Sequence, residues 1–198
     1  MSAAGKSSGG SKRLGRREKF VLTQIFLMFN GKPGILHFED IKDRLLRNVD
    51  TWKDYWRVAE EAERCRLALY RLEGRGYLKK MRRADGSDLR CCLFEVTEKG
   101  VEVARSAARE TLEDDIVKKA LNRLRAKETR WAPIDMIMEN VWEVSKNMKL
   151  FENIEEFEEY WSKRKLGFVL KKRFNLKRVK RRVHGKETWG YALVNETR

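Results

Sequence analysis

Few residues in this chain are spaced for bond-making chemistry, and the side chains that stand out are cations. His37 and His184 are isolated from each other and from any nucleophile, so neither a base–nucleophile pair nor a histidine metal set can be composed. Cys65, Cys91 and Cys92 lack CxxC spacing, and adjacent cysteines on a strand point to opposite faces, so free thiols in a reducing, intracellular compartment are expected. The densest carboxylate cluster is Glu152, Glu155, Glu156, Glu158 and Glu159. Carboxylates on one helix without a second supporting element make a poor octahedral site, so this cluster reads as a solvated helix face. No glycine-rich phosphate loop of the P-loop or dinucleotide type occurs. The expectation is a protein that is not an enzyme, with no catalytic, metal or cofactor site.

The cations are numerous and uneven. The 198 residues carry 45 Lys and Arg against 30 Asp and Glu, a net charge of +15. By segment the balance is +5 over residues 1–19, +3 over 20–110, −4 over 111–160 and +11 over 161–198. A local positive field favours a polyanionic partner through counterion release and steering. An anionic membrane is not the expected partner, because no apolar run approaches a transmembrane span. A single glutamine, Gln24, beside 38% charged residues is the composition of a thermophile.

Within the basic C-terminal stretch, a helix over KRKLGFVLKKRF has a core stripe of Leu166, Leu170 and Phe174 and leaves Lys163, Arg164, Lys171 and Lys172 exposed. Strand alternation in LKRVKRRV puts Arg178, Lys180 and Arg182 on one face and Val179 and Val183 on the other, with Lys186 at the following turn. Helix and hairpin cations converging on one side would form a surface for double-stranded DNA. With no Asn or Gln on the exposed part of the helix, only Arg164 is a strong candidate for a guanine edge, so phosphate contacts should dominate. Of the six tryptophans, Trp52, Trp56, Trp131, Trp142 and Trp161 are assigned to core or inter-module contacts, and Trp189 is kept as a stacking candidate.

The elements that must position these side chains follow from periodicity. Residues 1–15 are small, polar and glycine-rich, the composition of a disordered basic tail. A dense apolar helix begins at Arg16 and stops at Asn30, Gly31, Pro33 and Gly34. A short helix holds Phe38, Ile41, Leu45 and Leu46, and a long one runs from Trp52 to Leu72 on the stripe Val58, Ala62, Cys65, Leu69, Leu72. Two β-prone runs flank the Asp85-Gly86 turn, and a helix spans Glu98 to Arg109. The order then recurs: a helix over Leu112 to Leu124, one from Pro133 through Val144, a third helical region from Ile154 to Phe174, and a hairpin around Gly185. Gly86 and Gly185 are 99 residues apart.

GYLKKMRRADGSDLRCCLFEVTEKG, with Thr97 and Gly100 in a Thr-x-x-Gly step, resembles the wing of winged-helix regulators of the MarR and PadR-like groups. KRKLGFVLKKRFNLKRVKRRVHGKETWGYALV resembles the winged-helix module that ends many plasmid and viral replication proteins, with Leu166, Gly167, Gly190 and Tyr191 at the matching positions. The resemblance implies an α+β, mostly α fold of two winged helix-turn-helix modules in tandem, each of three helices plus a β-hairpin wing, over residues 16–110 and 111–198. In the first module the third helix mixes Arg57, Arg64, Arg66 and Arg71 with Glu60, Glu61 and Glu63, while Lys79, Lys80, Arg82 and Arg83 keep the wing basic. That module is expected to touch DNA chiefly by its wing or to use its helix as a protein interface, self-association included. The leading expectation is an archaeal or archaeal-virus type of duplex-binding protein in transcriptional control, both wings on one duplex, cytoplasmic and nucleoid-associated. The alternatives are a replication or chromosome-maintenance accessory that recruits a protein through the first module, and an interaction scaffold that binds no DNA.

Overall fold

The computed structural model describes residues 13–46, 52–82 and 93–193, with side chains at those positions other than 52–56. The tail before Arg13, the Asp85-Gly86 turn, Arg83, Cys91, Cys92 and the side chains of Trp52 and Trp56 therefore lie outside the described residues. The fold is α+β and mostly helical, with eight helices and two three-stranded sheets among the described residues.

The first half runs α1 (Arg16–Phe29), β1 (Ile35–His37), α2 (Phe38–Leu46), α3 (Trp52–Gly74), β2 (Leu78–Lys80), β3 (Leu93–Val96) and α4 (Glu98–Thr111). The second runs α5 (Glu113–Ala126), β4 (Trp131–Pro133), α6 (Ile134–Asn147), α7 (Ile154–Tyr160), α8 (Lys163–Lys172), β5 (Arg178–Val183) and β6 (Lys186–Ala192). Sheet order is β1-β3-β2 in one and β4-β6-β5 in the other, antiparallel throughout. Each half thus repeats one arrangement: a helix, a short strand leading into a second helix, a further helical region, and two strands whose second member takes the centre of the sheet.

Local chemistry explains most boundaries. Asn30 ends α1 in the left-handed region at φ 54, a conformation Asn tolerates better than most residues. In α3 the buried stripe is Ala62, Cys65, Leu69 and Leu72, all in the core with Val21, Ile25, Phe26 and Phe94. Burying a Leu or Phe of this kind contributes about 1.5–3 kcal/mol. Burial also pushes the Cys65 thiol up to about 11, so it is an inert packing group.

The Thr97-x-x-Gly100 step ties the first sheet to α4. Thr97 caps the helix by accepting the Gly100 N–H at 3.0 Å, and its hydroxyl lies 2.9 Å from the Gly76 carbonyl oxygen and 3.0 Å from that of Tyr77. A Cβ on Gly100 would stand 2.0 Å from the Tyr77 carbonyl oxygen, so only glycine allows α4 to approach this closely. In the second half, Gly190 has the corresponding burden: its Cβ would meet the Ala132 carbonyl oxygen and the Trp131 ring, each at 2.5 Å.

Two features depart from the sequence reading. Each half has a three-stranded sheet, since β1 and β4 add a strand to the expected pair of wing strands. The expected helix from Glu98 is present as α4, packed against α1, whereas the expected third helical region of the second half is two helices. The break falls at Trp161, which turns into the core, and at Ser162, whose hydroxyl accepts the Lys165 N–H at 3.1 Å and starts α8 afresh. Pro133 is the last residue of β4 and the N-cap of α6.

No linker separates the halves at the expected 110/111 boundary. Leu112 both ends α4 and precedes α5, its N–H bonded to the Ala108 carbonyl and its own carbonyl accepting the Ile116 N–H, each at 2.9 Å. Arg109 Nε donates to the Leu150 carbonyl at 2.7 Å, and Arg109 and Arg105 pair with Glu156 and Glu152. The carboxylate cluster is therefore only partly the solvated face expected of it. Although burial works to raise the Glu156 carboxyl, the Glu152 backbone N–H and the Arg109 guanidinium outweigh it and hold the group below its usual range.

Candidate functional site

Positioning of α8 begins at Glu113, a buried carboxylate at the start of α5. It accepts the Tyr160 hydroxyl at 2.8 Å, pairs with Lys165 at 2.5 Å and takes Arg173 Nη1 at 3.1 Å. Arg173 also reaches Asp114 at 2.8 Å. Burial and the bond to Glu113 push the Tyr160 phenol far up, so it stays protonated and serves as a fixed donor. Lys165 lies over the Tyr160 ring, 3.5 Å from its centroid. This cluster clamps both ends of α8, which then buries Leu166, Val169 and Leu170 and turns its opposite face outward.

The hairpin is set by β5 and β6, registered from Arg178↔Tyr191 to Val183↔Lys186. His184 and Gly185 form the two-residue turn at φ 47 and 79, the pair of positive values that matches the twist of the strands. Tyr191 then places the hairpin on α8: a Cβ on Gly167 would lie 3.0 Å from the Tyr191 hydroxyl, while Gly190 keeps β6 close to Ala132 and Trp131 of β4.

Between α8 and the hairpin opens a groove of about 1020 Å³. Its lining includes Lys163, Arg164, Lys171, Lys177 and Arg178, and no acidic residue among those described. Phe168, Trp189 and Asn175 line it too; Asn175 holds φ 51 just beyond α8. Phe168 is 59% and Trp189 49% exposed. The Arg178 guanidinium sits 4.7 Å from the Trp189 ring centroid and Lys180 Nζ 5.9 Å from it.

The expected site residues divide into three sets. Lys163, Arg164, Lys171 and Arg178 converge on the groove, Lys163 with a 2.5 Å ion pair to Asp135 at its mouth. Lys172, Lys180, Arg182 and Lys186 are exposed but outside its lining. Lys180 pairs with Glu187, and Arg182 Nε donates to the Gly185 carbonyl of its own turn at 3.1 Å. In the first half, Lys79 faces Glu95 at 4.0 Å, while Lys80 leans over the Tyr70 ring at 5.2 Å. Arg82 is exposed. On α3, Arg64 pairs with Glu60 and Glu61, and Arg66 with Glu63. Arg17 from α1 adds a bidentate bond to Glu61 and holds that carboxyl below its usual range.

Lys177, Asn175 and Phe168 are groove residues that the sequence reading did not single out. For Phe168 the signal was present, since it lies two residues after Leu166 and hence on the opposite face of a helix. Trp161 is buried, and Trp142 packs on Phe157 at 5.2 Å, in keeping with core roles for those rings.

Among the described residues no group of three or more His, Cys, Asp or Glu side chains is placed to hold a metal ion. No helix among them is long and apolar enough to cross a membrane. Chemically the groove offers three lysine ammonium groups, two fork-shaped guanidinium donor sets at Arg164 and Arg178, an amide at Asn175 and two exposed aromatic side chains, a set suited to an anionic ligand. Comparison of the chain with protein-family models, with curated proteins and with solved structures finds no match to any of them.

Proposed function

We propose that the chain binds double-stranded DNA through two winged helix-turn-helix modules in tandem, with α8 and the β5–β6 hairpin of the second module as the anchor. The observation that carries this reading is the convergence of five cations from helix and hairpin on one groove with no described acidic residue in its lining. The order of helix, short strand, helix, helical region and paired strands supports the winged-helix assignment, with α8 as the helix that enters the major groove and the hairpin as the wing. Lys163, Arg164, Lys171, Lys177 and Arg178 neutralise phosphates, and Lys172, Lys180, Arg182 and Lys186 extend the positive surface around them. The likeness of the first wing to bacterial and archaeal regulators supports a place in transcriptional control.

Affinity is phosphate-dominated. If each of the five groove cations neutralises one phosphate, log K falls against log salt with a slope of about −4.5. Fluorescence anisotropy of a labelled duplex with the full chain and with Arg164→Glu/Lys171→Glu/Arg178→Glu reads this directly. The wild type should show the steep slope, and the triple variant should lose at least about a hundredfold at low salt, since each reversal both removes a contact and adds repulsion. Unaltered affinity in a folded triple variant overturns the assignment of the groove.

A further inference from the structure

The cations of the groove account for a phosphate backbone, but they leave its two open aromatic rings unexplained. Seven large hydrophobic residues are markedly exposed among those described, and only two of them are aromatic. Both, Phe168 and Trp189, line this one groove, although they come from α8 and β6. Phe168 lies on the outward stripe of α8 between Arg164 and Lys171, and Trp189 is flanked by the Arg178 guanidinium. A paired duplex hides the faces of its bases in the stack and offers only edges and phosphates, so it would leave these rings with little to cover them. An unpaired base presents its face, and stacking on an aromatic ring is tolerant of which base it is. An arginine on the ring adds charge to the same platform and holds a phosphate of the nucleotide that stacks.

We infer that the groove takes an unpaired base: its preferred ligand is DNA in which a duplex adjoins a single-stranded segment, with Phe168 and Trp189 as the stacking surfaces and Arg164, Lys171 and Arg178 on the backbone beside them. The inference rests on the proposed binding of DNA at this groove and adds the form of nucleic acid it selects. It places the protein at DNA that is opened or ended, and makes uninterrupted duplex the weaker ligand.

The test compares two labelled probes with the full chain at one salt concentration: a blunt duplex, and a duplex of the same nucleotide count carrying a single-stranded overhang. The overhang probe should bind about tenfold more tightly. Phe168→Ala and Trp189→Ala should each bring that ratio down to about two or less, while Trp189→Phe, which keeps a ring, preserves it. Both side chains are largely in water, so the variants fold, and thermal melting checks this. A wild-type ratio near one overturns the inference while leaving duplex binding intact. A ratio unchanged in the alanine variants overturns it equally and assigns Phe168 to apolar contact with paired bases, such as a thymine methyl. Binding to neither probe overturns this inference and the proposed function together.

Discussion

The two halves of the chain share an order of elements and part company in what their cations face. In the first half Arg64 and Arg66 of α3 meet glutamates on the same helix, Arg17 of α1 binds Glu61 of α3, and Lys79 and Lys80 fall on opposite faces of a strand, one toward Glu95 and one toward Tyr70. In the second half α8 carries no acidic residue, and its cations meet those of the hairpin across a groove. One backbone plan therefore supports two electrostatic outcomes, and the difference lies in which residue types occupy the outward positions. Charges paired along one helix project little field, whereas cations that outnumber the acids beside them attract an anion.

The largest effect bears on what the halves have in common. Each half has a glycine against which a neighbouring backbone carbonyl is pressed, Gly100 by that of Tyr77 in the first half and Gly190 by that of Ala132 in the second. Gly100→Ala, which in an open helix would gain about 1 kcal/mol, should instead cost about 3 kcal/mol, and Gly190→Ala a similar amount. Denaturant unfolding measures both, and a neutral result at either position would end the structural equivalence drawn between them.

A smaller effect should separate the halves. Each buries one glutamate in the first turn of its leading helix: Glu18, bound by the Gly15 N–H at 2.7 Å and near Arg75 at 3.5 Å, and Glu113, bound by a phenol and two cations. Glu113→Gln should cost about 2 kcal/mol and Glu18→Gln about 1 kcal/mol, because more charge-assisted bonds are lost at the former. Equal costs by urea titration would show that the clamp on α8 has no counterpart advantage.

Smallest of all is the response of the first half to losing its acids. Glu60→Gln/Glu63→Gln removes one carboxylate partner from each of Arg64 and Arg66, and Arg64 keeps Glu61 at 3.5 Å. Duplex affinity by anisotropy should rise less than about threefold, since exposed pairs of this kind are weak and only two negative charges are removed. A tenfold rise would mean that charge alone distinguished the halves.

Much of this was legible in the sequence. Helix starts at Arg16, Phe38, Trp52 and Glu98 follow from apolar spacing and from the Thr97 cap, and the basic hairpin follows from strand alternation around Gly185. The strands β1 and β4 were not, because ILH and WAP are too short to show alternation and are strands only through partners some sixty residues away. The break before α8 was hidden by apolar residues on both sides of Ser162. At the groove, cations were legible as types but not as neighbours. That Arg178 would lie beside Trp189, and Glu156 beside Arg109, depends on tertiary packing that no local pattern encodes.

The junction at Leu112 has a mechanical meaning. Helical bonding enters and leaves that single residue, so the two halves are geared rather than tethered. In a helix each added residue advances the chain by about 1.5 Å and turns it by about 100°. The joint is in effect a phase setting. A one-residue slip there would turn one half by about 100° against the other, pulling Arg105 and Arg109 away from Glu152, Glu156 and the Leu150 carbonyl.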